Sequence, residues 1–369
     1  MRLLFDARYI RTDFHDGISR YSADLASAVV PLAAERGIDV VFLISDDAQR
    51  AFLPDGARVL KIHSPTSALE PFTALRLNRC RPDVVFSPMQ TIGAAGRRYR
   101  LILTLHDMIY YRHRRPPRDL PWPVRIGWRI FHLSYVPQRL LLDGADVVAT
   151  VSRTSKTQFT QVRLTRRPVV VIPDAPQDLR ALLPAGTRVE PGTANLVYMG
   201  SFMPYKNVET LVQASGRLPG RTLHLLSRIS PQRRSELERL IPDGAAVVFH
   251  DGVTDAEYAR LLADRAVLVT TSFDEGYGLP IAEALALGVP AVVSDLPIFH
   301  EVAGDGARYV DAEDPDDVAD AVAGLDDEAA RAALVEAGTA HIARFTWPQS
   351  AAVLLDVVED LAHKGAETR

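Results

Sequence analysis

The sequence predicts an α/β protein with two doubly wound domains. Its 369 residues exceed the ~250–300 over which a single hydrophobic core keeps growing. Short apolar runs alternate with helix-like segments in two successive series, as expected for parallel sheets covered by helices on both faces. A Pro-rich break at residues 173–176 separates the two series.

The first series fills the N-terminal half. It predicts helices at 19–30 and 152–161, the second capped by Ser152 or Thr154. Its predicted strands are short apolar runs bounded by turn residues, at 3–7, 40–44, 84–87, 101–105, 147–151 and 169–172. Parallel sheets of this kind bind ligands at the carboxyl ends of their strands.

The second series begins after another Pro- and Gly-rich stretch, 184–193, which we interpret as a second linker. Helices are expected at 207–215, 255–263, 280–288 and 348–361. The predicted strands are 196–199, 222–226, 247–249, 267–270 and 291–294. The domain boundaries are therefore predicted at 1–176 and 177–347.

Bulk properties narrow the function classes. A net charge of −4 gives no reason to expect nucleic acid as a partner. The apolar runs are too short to span a membrane, and the N-terminal residues 1–6 read as a first strand and not a signal peptide. The single cysteine, Cys80, excludes an intramolecular disulfide and suits a reducing cytoplasm.

The most informative segment is 273–283. It places Glu275 and Glu283 eight positions apart, with Gly276 and Gly278 between them and the apolar run 266–270 before them. We expect Glu275 in the loop above a strand and Glu283 in the first turn of the following helix. The amides and dipole of that turn favour a phosphate group, so the segment suits a nucleotide diphosphate.

This spacing resembles that of the retaining glycosyltransferases of family 4, which have the GT-B fold. Four further segments resemble motifs of that family in the same order: 17–21, 104–107, 198–207 and 345–347. The resemblance implies two Rossmann-like domains facing each other across a cleft. The nucleotide sugar would bind mainly on 177–347 and the acceptor mainly on 1–176, with the C-terminal helix 348–365 packing back on the N-terminal domain.

The same resemblance implies a reaction and its residues. A sugar is transferred with retention from a nucleotide diphosphate donor, GDP-mannose first and a UDP-sugar second, to a glycan, a lipid-linked acceptor or a small molecule. His106, Glu275 and Lys206 are the expected catalytic residues. The expected donor-binding residues are Gly17, Gly200, Ser201, Lys206, Asn207, Gly276, Tyr277, Gly278, Leu279 and Glu283. Lys206 suits the diphosphate as a compact cation, and Glu283 the ribose.

Some positions leave alternatives open. Many family members have an arginine where this chain has Ser201; either its hydroxyl or another cation, for which Arg228 is a candidate, then serves the phosphate. His106 is either a sugar or phosphate contact or a core histidine paired with Asp107. Ser19 stands where the family often has a second glycine, and is alternatively a helix N-cap.

Residues 97–139 contain ten arginines and only two acidic residues, Asp107 and Asp119. Arginines mixed with tryptophans suit an anionic membrane surface, which predicts peripheral binding to the inner face of the plasma membrane. The alternative is a solvated basic loop with a core-facing tryptophan. The expected acceptor or membrane residues are Arg20, Arg112, Arg114, Arg115, Arg118 and Trp122.

We expect no metal and no cofactor. No His or Cys cluster has metal-ligand spacing, and no Gly-x-Gly-x-x-Gly opens the first helix as in nicotinamide-dependent enzymes. Two rival functions remain open: a nucleotide-sugar epimerase of the same fold, and a nucleotide-sugar-binding subunit without turnover. The second is motivated by Ser19 and Ser201.

Overall fold

The computed structural model describes residues 1–13, 17–114, 116 and 122–366, without the side chains of 365 and 366. The chain forms two compact units. The N-terminal unit comprises Met1–Asp174 and Phe345–Arg369, and the C-terminal unit comprises Ala175–Arg344. The first crossing between units falls inside the Pro-rich break at 173–176, where proline restricts regular structure.

The N-terminal unit contains a seven-stranded parallel sheet of order β3-β2-β1-β4-β5-β6-β7. Its core is apolar on both faces, and the ring of Phe5 on β1 lies 5.4 Å from Phe42 and 5.0 Å from Phe86 on the neighbouring strands. The strands are β1 (Arg2–Asp6), β2 (Asp39–Ile44), β3 (Val59–Lys61), β4 (Val84–Ser87), β5 (Arg100–Thr104), β6 (Val147–Thr150) and β7 (Val169–Val171).

Among the described residues, six α-helices precede the crossing into the C-terminal unit: α1 (Gly17–Glu35), α2 (Thr73–Leu77), α3 (Ile109–Arg112), α4 (Trp122–Phe131), α5 (Val136–Asp143) and α6 (Arg153–Gln161). Ser152 caps α6, since its hydroxyl accepts a hydrogen bond from the Ser155 amide at 3.0 Å. Of the two caps considered from the sequence, Ser152 is therefore the correct one.

The C-terminal unit contains a six-stranded parallel sheet of order β10-β9-β8-β11-β12-β13. Its strands are β8 (Glu190–Tyr198), β9 (Thr222–Leu225), β10 (Ala246–Phe249), β11 (Asp264–Thr270), β12 (Ala291–Ser294) and β13 (Ala307–Val310). Its helices are α7 (Val208–Ala214), α8 (Pro231–Glu238), α9 (Asp255–Ala263), α10 (Leu279–Leu287), α11 (Pro297–Ala303), α12 (Pro315–Ala323) and α13 (Glu328–Ile342).

The last helix, α14 (Trp347–Ala366), belongs to the N-terminal unit. Arg36, just beyond α1, holds it by ion pairs to Asp356 at 2.6 Å and Glu359 at 3.1 Å. The fold class predicted from the sequence, two parallel Rossmann-like sheets, is confirmed. The linker predicted at 184–193 is wrong in its second half, because residues from Glu190 onward are the exposed beginning of β8.

Candidate functional site

The C-terminal sheet reverses its strand order between β8 and β11. Strands β8, β9 and β10 run outward in one direction, and β11 returns to the other side of β8. Such a switch point leaves a crevice at the carboxyl edge of the sheet, where ligands of doubly wound folds bind. The loops after β8 and β11 meet there. The Phe273 amide donates to the Tyr205 carbonyl at 2.8 Å, and the Thr271 hydroxyl donates to the Asn207 carbonyl at 2.7 Å.

Two residues expected to be catalytic are in direct contact in this crevice. Lys206 Nζ lies 2.5 Å from Glu275 Oε1, although the two residues are 69 positions apart. The Ser272 hydroxyl donates to the same carboxylate oxygen at 2.9 Å. Each side chain of the pair is 14% exposed, so both charges are largely shielded but remain reachable from solvent.

Asn207 holds the turn that presents Lys206. Its backbone is left-handed, with φ 47° and ψ 47°, a conformation that asparagine tolerates better than most residues. Its side-chain amide donates to the Ala312 carbonyl at 2.5 Å, and its side-chain oxygen accepts from the Thr210 hydroxyl at 3.3 Å. These bonds give Asn207 a positioning role, and its contact with the donor stays a prediction.

The loop that contains Gly276 and Gly278 leads directly into α10. Gly278 adopts φ 106°, a backbone conformation that residues with a side chain rarely adopt. A Cβ on it would also lie 3.0 Å from the ring of Phe299, which is an unusually tight contact. Both features favour glycine at this position.

Proline follows in the first turn of α10, and no side chain among the described residues caps this helix. Pro280 has no N–H, and the Ile281 and Ala282 amides donate to the Gly278 carbonyl at 2.9 and 3.2 Å. The Leu279 amide and the helix dipole are therefore what this end of α10 offers an anion, and phosphate binding there stays a prediction. Gly276 and Tyr277 are buried, whereas Leu279 is partly exposed.

The position of Glu283 differs from the prediction. Gly278 is the left-handed N-cap and α10 begins at Leu279, one residue before the predicted start at 280, which makes Glu283 the fifth helical residue. The first turn of α10 contains no acidic residue, so the expectation that Glu283 lies in that turn is wrong. Its carboxylate is buried, and buried carboxylates require hydrogen-bond donors. Its contact with a ribose stays a prediction.

The loop after β8 lies against the loop after β9. The Gly200 amide donates to the Ser227 hydroxyl at 3.2 Å, and Arg228 follows directly. A Cβ on Gly200 would lie 2.8 Å from the Tyr198 hydroxyl, which donates to the Ser201 carbonyl at 2.7 Å. Burial raises the pKa of Tyr198 well above its ordinary value, so it remains a donor.

Two arginines lie near the position of the missing family arginine. Arg228 is exposed and adjacent to the Gly200 loop. Arg233 also reaches this loop, donating to the Phe202 carbonyl at 3.2 Å, but it is paired with Glu209 at 2.6 Å and Glu236 at 3.2 Å. Two carboxylates neutralise Arg233, and the exposed Arg228 stays the candidate for the second phosphate cation.

His106 follows β5 in the N-terminal unit and has a fixed orientation. Its Nε2 lies 2.9 Å from the Pro88 carbonyl, which can only accept, so this nitrogen carries the proton. The ring meets Tyr21 edge to face at 5.2 Å. Asp107, in turn, accepts from the Ile109 amide at 2.8 Å and so serves the loop backbone. These contacts fix the orientation of the His106 ring, and its contact with a sugar or a phosphate stays a prediction.

The glycine loop at residues 17–21 lies at the beginning of α1. Gly17 is the first residue of that helix, and residues 14–16 lie outside the described part of the chain. The Ser19 hydroxyl accepts from the Arg11 amide at 2.9 Å and is buried within the helix. The reading of Ser19 as an N-cap is therefore wrong, because α1 begins two residues earlier. Arg20, expected to face the acceptor or phosphate, is partly buried on the same helix.

A charged cluster in the N-terminal unit was not anticipated. The buried Arg8 guanidinium pairs with Asp6 at 2.8 Å and Glu70 at 2.7 Å, and His63 lies 3.1 Å from the same glutamate. Burial alone would lower the pKa of Arg8, but the two carboxylates raise it above its ordinary value. Asp6 and Arg8 are charged residues at the end of the first strand, and this position could have identified them from the sequence. Glu70 lies far along the chain from both, and nothing in the sequence links it to them.

This cluster underlies the switch point of the N-terminal sheet, between β1 and β4. Tyr9 follows Arg8, and its hydroxyl lies 2.5 Å from that of Thr91, in the segment after β4. The cluster thus fixes the loop after β1 where a ligand of this sheet would bind.

A cavity of about 490 Å³ lies at the carboxyl edge of β12 and β13. It begins at Ser272 and Phe273, next to Glu275, and continues to Asp295, Tyr309 and Asp311. Carboxylates and aromatic rings suit a neutral, hydroxyl-rich group and repel a phosphate.

The structure describes the arginine-rich segment 97–139 only in part. Arg112 and Arg114 are described, whereas Arg115 and Arg118 lie outside the described residues. Trp122 is 72% exposed, so the alternative of a core-facing tryptophan does not apply to it.

In the ranges that the structure describes, no group of three or more His, Cys, Asp or Glu side chains is arranged to hold a metal ion. Within the same ranges, no helix has the length and apolarity needed to cross a membrane.

Comparisons with known proteins agree with this architecture. Residues 193–327 match the family model "Glycosyl transferases group 1", and residues 16–175 match "Glycosyl transferase 4-like domain". Together the two models cover most of both units.

Among curated proteins, the O-antigen chain mannosyltransferase B of Escherichia coli is 29% identical over 269 residues, 67% of each chain. The D-inositol 3-phosphate glycosyltransferase of Paenarthrobacter aurescens is 29% identical, but the match spans only 48% of its length. Among solved structures, the Anabaena protein HepE in complex with UDP and glucose superposes with a TM-score of 0.68 and 15% identity, covering 97% of this chain and 99% of that one.

Proposed function

This chain belongs to the group 1 glycosyltransferases, a family of sugar-transferring enzymes, and we propose that it moves a hexose from a nucleotide diphosphate donor held on its C-terminal unit. The observation that carries the proposal is the Lys206–Glu275 contact at the switch point. It joins a phosphate-binding cation and a carboxylate in the crevice that precedes the uncapped start of α10. The epimerase and non-catalytic alternatives are not favoured, because the matching proteins are named transferases.

The donor site divides into three parts. Lys206 and the positive N-terminal end of α10 bind the diphosphate, and Arg228 supplies the second cation that Ser201 does not. Glu275 accepts hydrogen bonds from the transferred sugar, and the acidic cavity beside it accommodates the hydroxyl-rich ring. Glu283 binds the ribose from inside α10.

The transfer step exchanges one bond at the anomeric carbon. The bond from this carbon to the diphosphate oxygen breaks, and the bond to the acceptor hydroxyl oxygen forms on the same face, which retains the configuration. The acceptor proton passes to the leaving diphosphate. Lys206, Arg228 and the N-terminal end of α10 stabilise the negative charge that builds on the diphosphate, and they do so without a metal ion. We keep His106 as a residue that orients the transferred sugar.

The relatives suggest an order of donors. The E. coli relative is named a mannosyltransferase, and the Anabaena structure contains UDP and glucose. GDP-mannose is therefore the first donor to test and UDP-sugars are the second. The acceptor binds on the N-terminal unit and is a glycan, a lipid-linked sugar or a small molecule. Arg112 and Arg114 bring the protein to an anionic membrane surface.

The test is a panel of nucleotide sugars incubated with the full chain, with release of free nucleoside diphosphate as the readout. Release with one donor, which stops in Lys206→Ala, supports a transferase. An isomerised donor without release supports the epimerase. Donor binding without either product supports the non-catalytic subunit.

A further inference from the structure

We infer that the outer side of α4 and α5 inserts into the surface of an anionic lipid bilayer. This side, called the α4–α5 face below, consists of six exposed apolar residues: Trp122, Ile126, Ile130, Leu133, Val136 and Leu140. Of the six, only Trp122 is a candidate site residue from the sequence.

The spacing of five of these residues places them on one side of each helix, and Leu133 lies in the segment that joins the helices. Trp122, Ile126 and Ile130 follow one another at intervals of four, which aligns their side chains along α4. Val136 and Leu140 repeat the interval on α5. All ten residues of α4 are described, and none of them is buried. Six exposed large apolar side chains in so short a stretch of chain mark an interaction site.

The opposite side of α4 is held in place. The Trp128 ring stacks on His132 at 4.1 Å and meets Tyr110 of α3 edge to face at 5.2 Å. The neighbouring Tyr111 and Tyr135 rings lie 4.7 Å apart. These aromatic contacts fix the rotation of α4, so the exposure of the α4–α5 face is a property of the packed unit and not of an unattached helix.

Charge identifies the occupant as lipid. The surrounding segment 97–139 contains ten arginines and two acidic residues; Arg129 lies on α4 itself, and Arg112 and Arg114 precede it in the chain. Apolar side chains, an exposed tryptophan and flanking arginines are the combination found in helices that lie in a membrane interface. A second copy of this chain would place the same arginines against each other, which like-charge repulsion opposes. Anionic headgroups complement them.

The consequence for the reaction rests on the proposed function. A transferase anchored through this face works at the bilayer surface, and its acceptor is therefore a lipid-linked sugar in preference to a soluble glycan.

The test measures binding of the full chain to phosphatidylcholine vesicles with and without phosphatidylglycerol. Ile126→Ser/Ile130→Ser should lower the affinity for anionic vesicles about tenfold or more, because it removes apolar side chains that bilayer insertion buries. The matched control is Leu69→Ser/Leu75→Ser. These two residues are 58% and 54% exposed, against 48% and 62% for the first pair, and their exchange should leave binding unchanged.

The salt dependence of vesicle binding distinguishes insertion of apolar side chains from purely electrostatic attraction. Wild-type binding should fall but persist at ~1 M salt, where charges are screened beyond ~3 Å. Arg112→Ser/Arg114→Ser should remove mainly the salt-sensitive part. Three results would overturn the inference: no wild-type binding to anionic vesicles at low salt, an equal loss in the Leu69/Leu75 control, or a concentration-dependent dimer that the Ile126/Ile130 exchange abolishes while vesicle binding is unaffected.

Nucleoside diphosphate binding, measured by calorimetry on each isoleucine and leucine variant, should equal that of the wild type, since the donor site lies on the C-terminal unit. Absence of nucleotide binding in a wild-type protein that still binds vesicles would refute the proposed function and leave the membrane surface intact.

Discussion

Lys206 and Glu275 form a contact of 2.5 Å that joins the loops following β8 and β11. The two residues have opposite charges, and the proposed function assigns them to different parts of one donor. We therefore predict that the diphosphate replaces the Glu275 carboxylate on Lys206 and that the carboxylate turns to the sugar hydroxyls. In the structure the contact orients both side chains, and on this proposal the carboxylate competes with the diphosphate for Lys206.

Glu283→Ala should weaken nucleotide binding more than it slows turnover of the bound donor. Loss of a charged hydrogen bond costs roughly 1.5–3 kcal/mol, which corresponds to about 10- to 150-fold in affinity. Calorimetric titration of nucleoside diphosphate and saturated turnover rates separate the two effects. Glu283→Gln, which keeps the size of the buried side chain, controls for packing. Donor affinity unchanged in a folded Ala variant would exclude the ribose contact.

Asn207 should prove important for stability through its backbone conformation. Asn207→Ala and Asn207→Gly both lose the bonds to Ala312 and Thr210, but only glycine adopts the left-handed conformation without strain. We expect the alanine variant to be less stable than the glycine variant by about 1 kcal/mol in urea unfolding. Equal stabilities would mean that the turn relaxes in both variants.

Arg8→Met should be strongly destabilising, by about 3–5 kcal/mol, because it leaves Asp6 and Glu70 buried without their cation. Arg11→Met is the matched control. Its pair with Asp13 at 3.1 Å is exposed, and such pairs contribute at most about 1 kcal/mol. Similar unfolding free energies for the two variants would contradict a structural role for the cluster.

Transfer activity should survive a strong chelator, since Lys206, Arg228 and the N-terminal end of α10 provide the positive charge for the leaving group. The measurement is nucleotide release from the active donor before and after chelation. Complete loss that added Mg²⁺ or Mn²⁺ restores would refute a metal-independent mechanism.

Much of the architecture followed from local sequence patterns. Strands such as β4 and β12 are buried on both faces and therefore read as unbroken apolar runs. The edge strands β3 and β13 were missed. β3 is only half-buried, and β13 exposes Arg308, so neither has a continuous apolar run. The beginning of β8 was missed because Glu190 and Pro191 are exposed and resemble a turn.

The site was predictable where a motif is local and unpredictable where it depends on distant partners. Gly276, Gly278 and Glu275 lie in one segment that the sequence singles out. The hydrogen bond from the Asn207 side chain to the Ala312 carbonyl spans 105 positions and has no sequence signal. The start of α10 was predicted one residue too late, at Pro280, because sequence alone does not reveal that the left-handed Gly278 makes Leu279 the first helical residue. The sequence does not reveal that the apolar residues of the α4–α5 face are exposed, because the same spacing is found in buried helices.

The central claim is that Lys206 binds a diphosphate in competition with Glu275. The most direct measurement is the calorimetric affinity of one nucleoside diphosphate, GDP or UDP according to the active donor, for the wild type, Lys206→Ala and Glu275→Gln. We predict that Glu275→Gln binds the nucleotide more tightly than the wild type, because Lys206 loses its competing carboxylate, although transfer falls. Lys206→Ala should bind at least about tenfold more weakly. Equal affinities in all three folded proteins would contradict it.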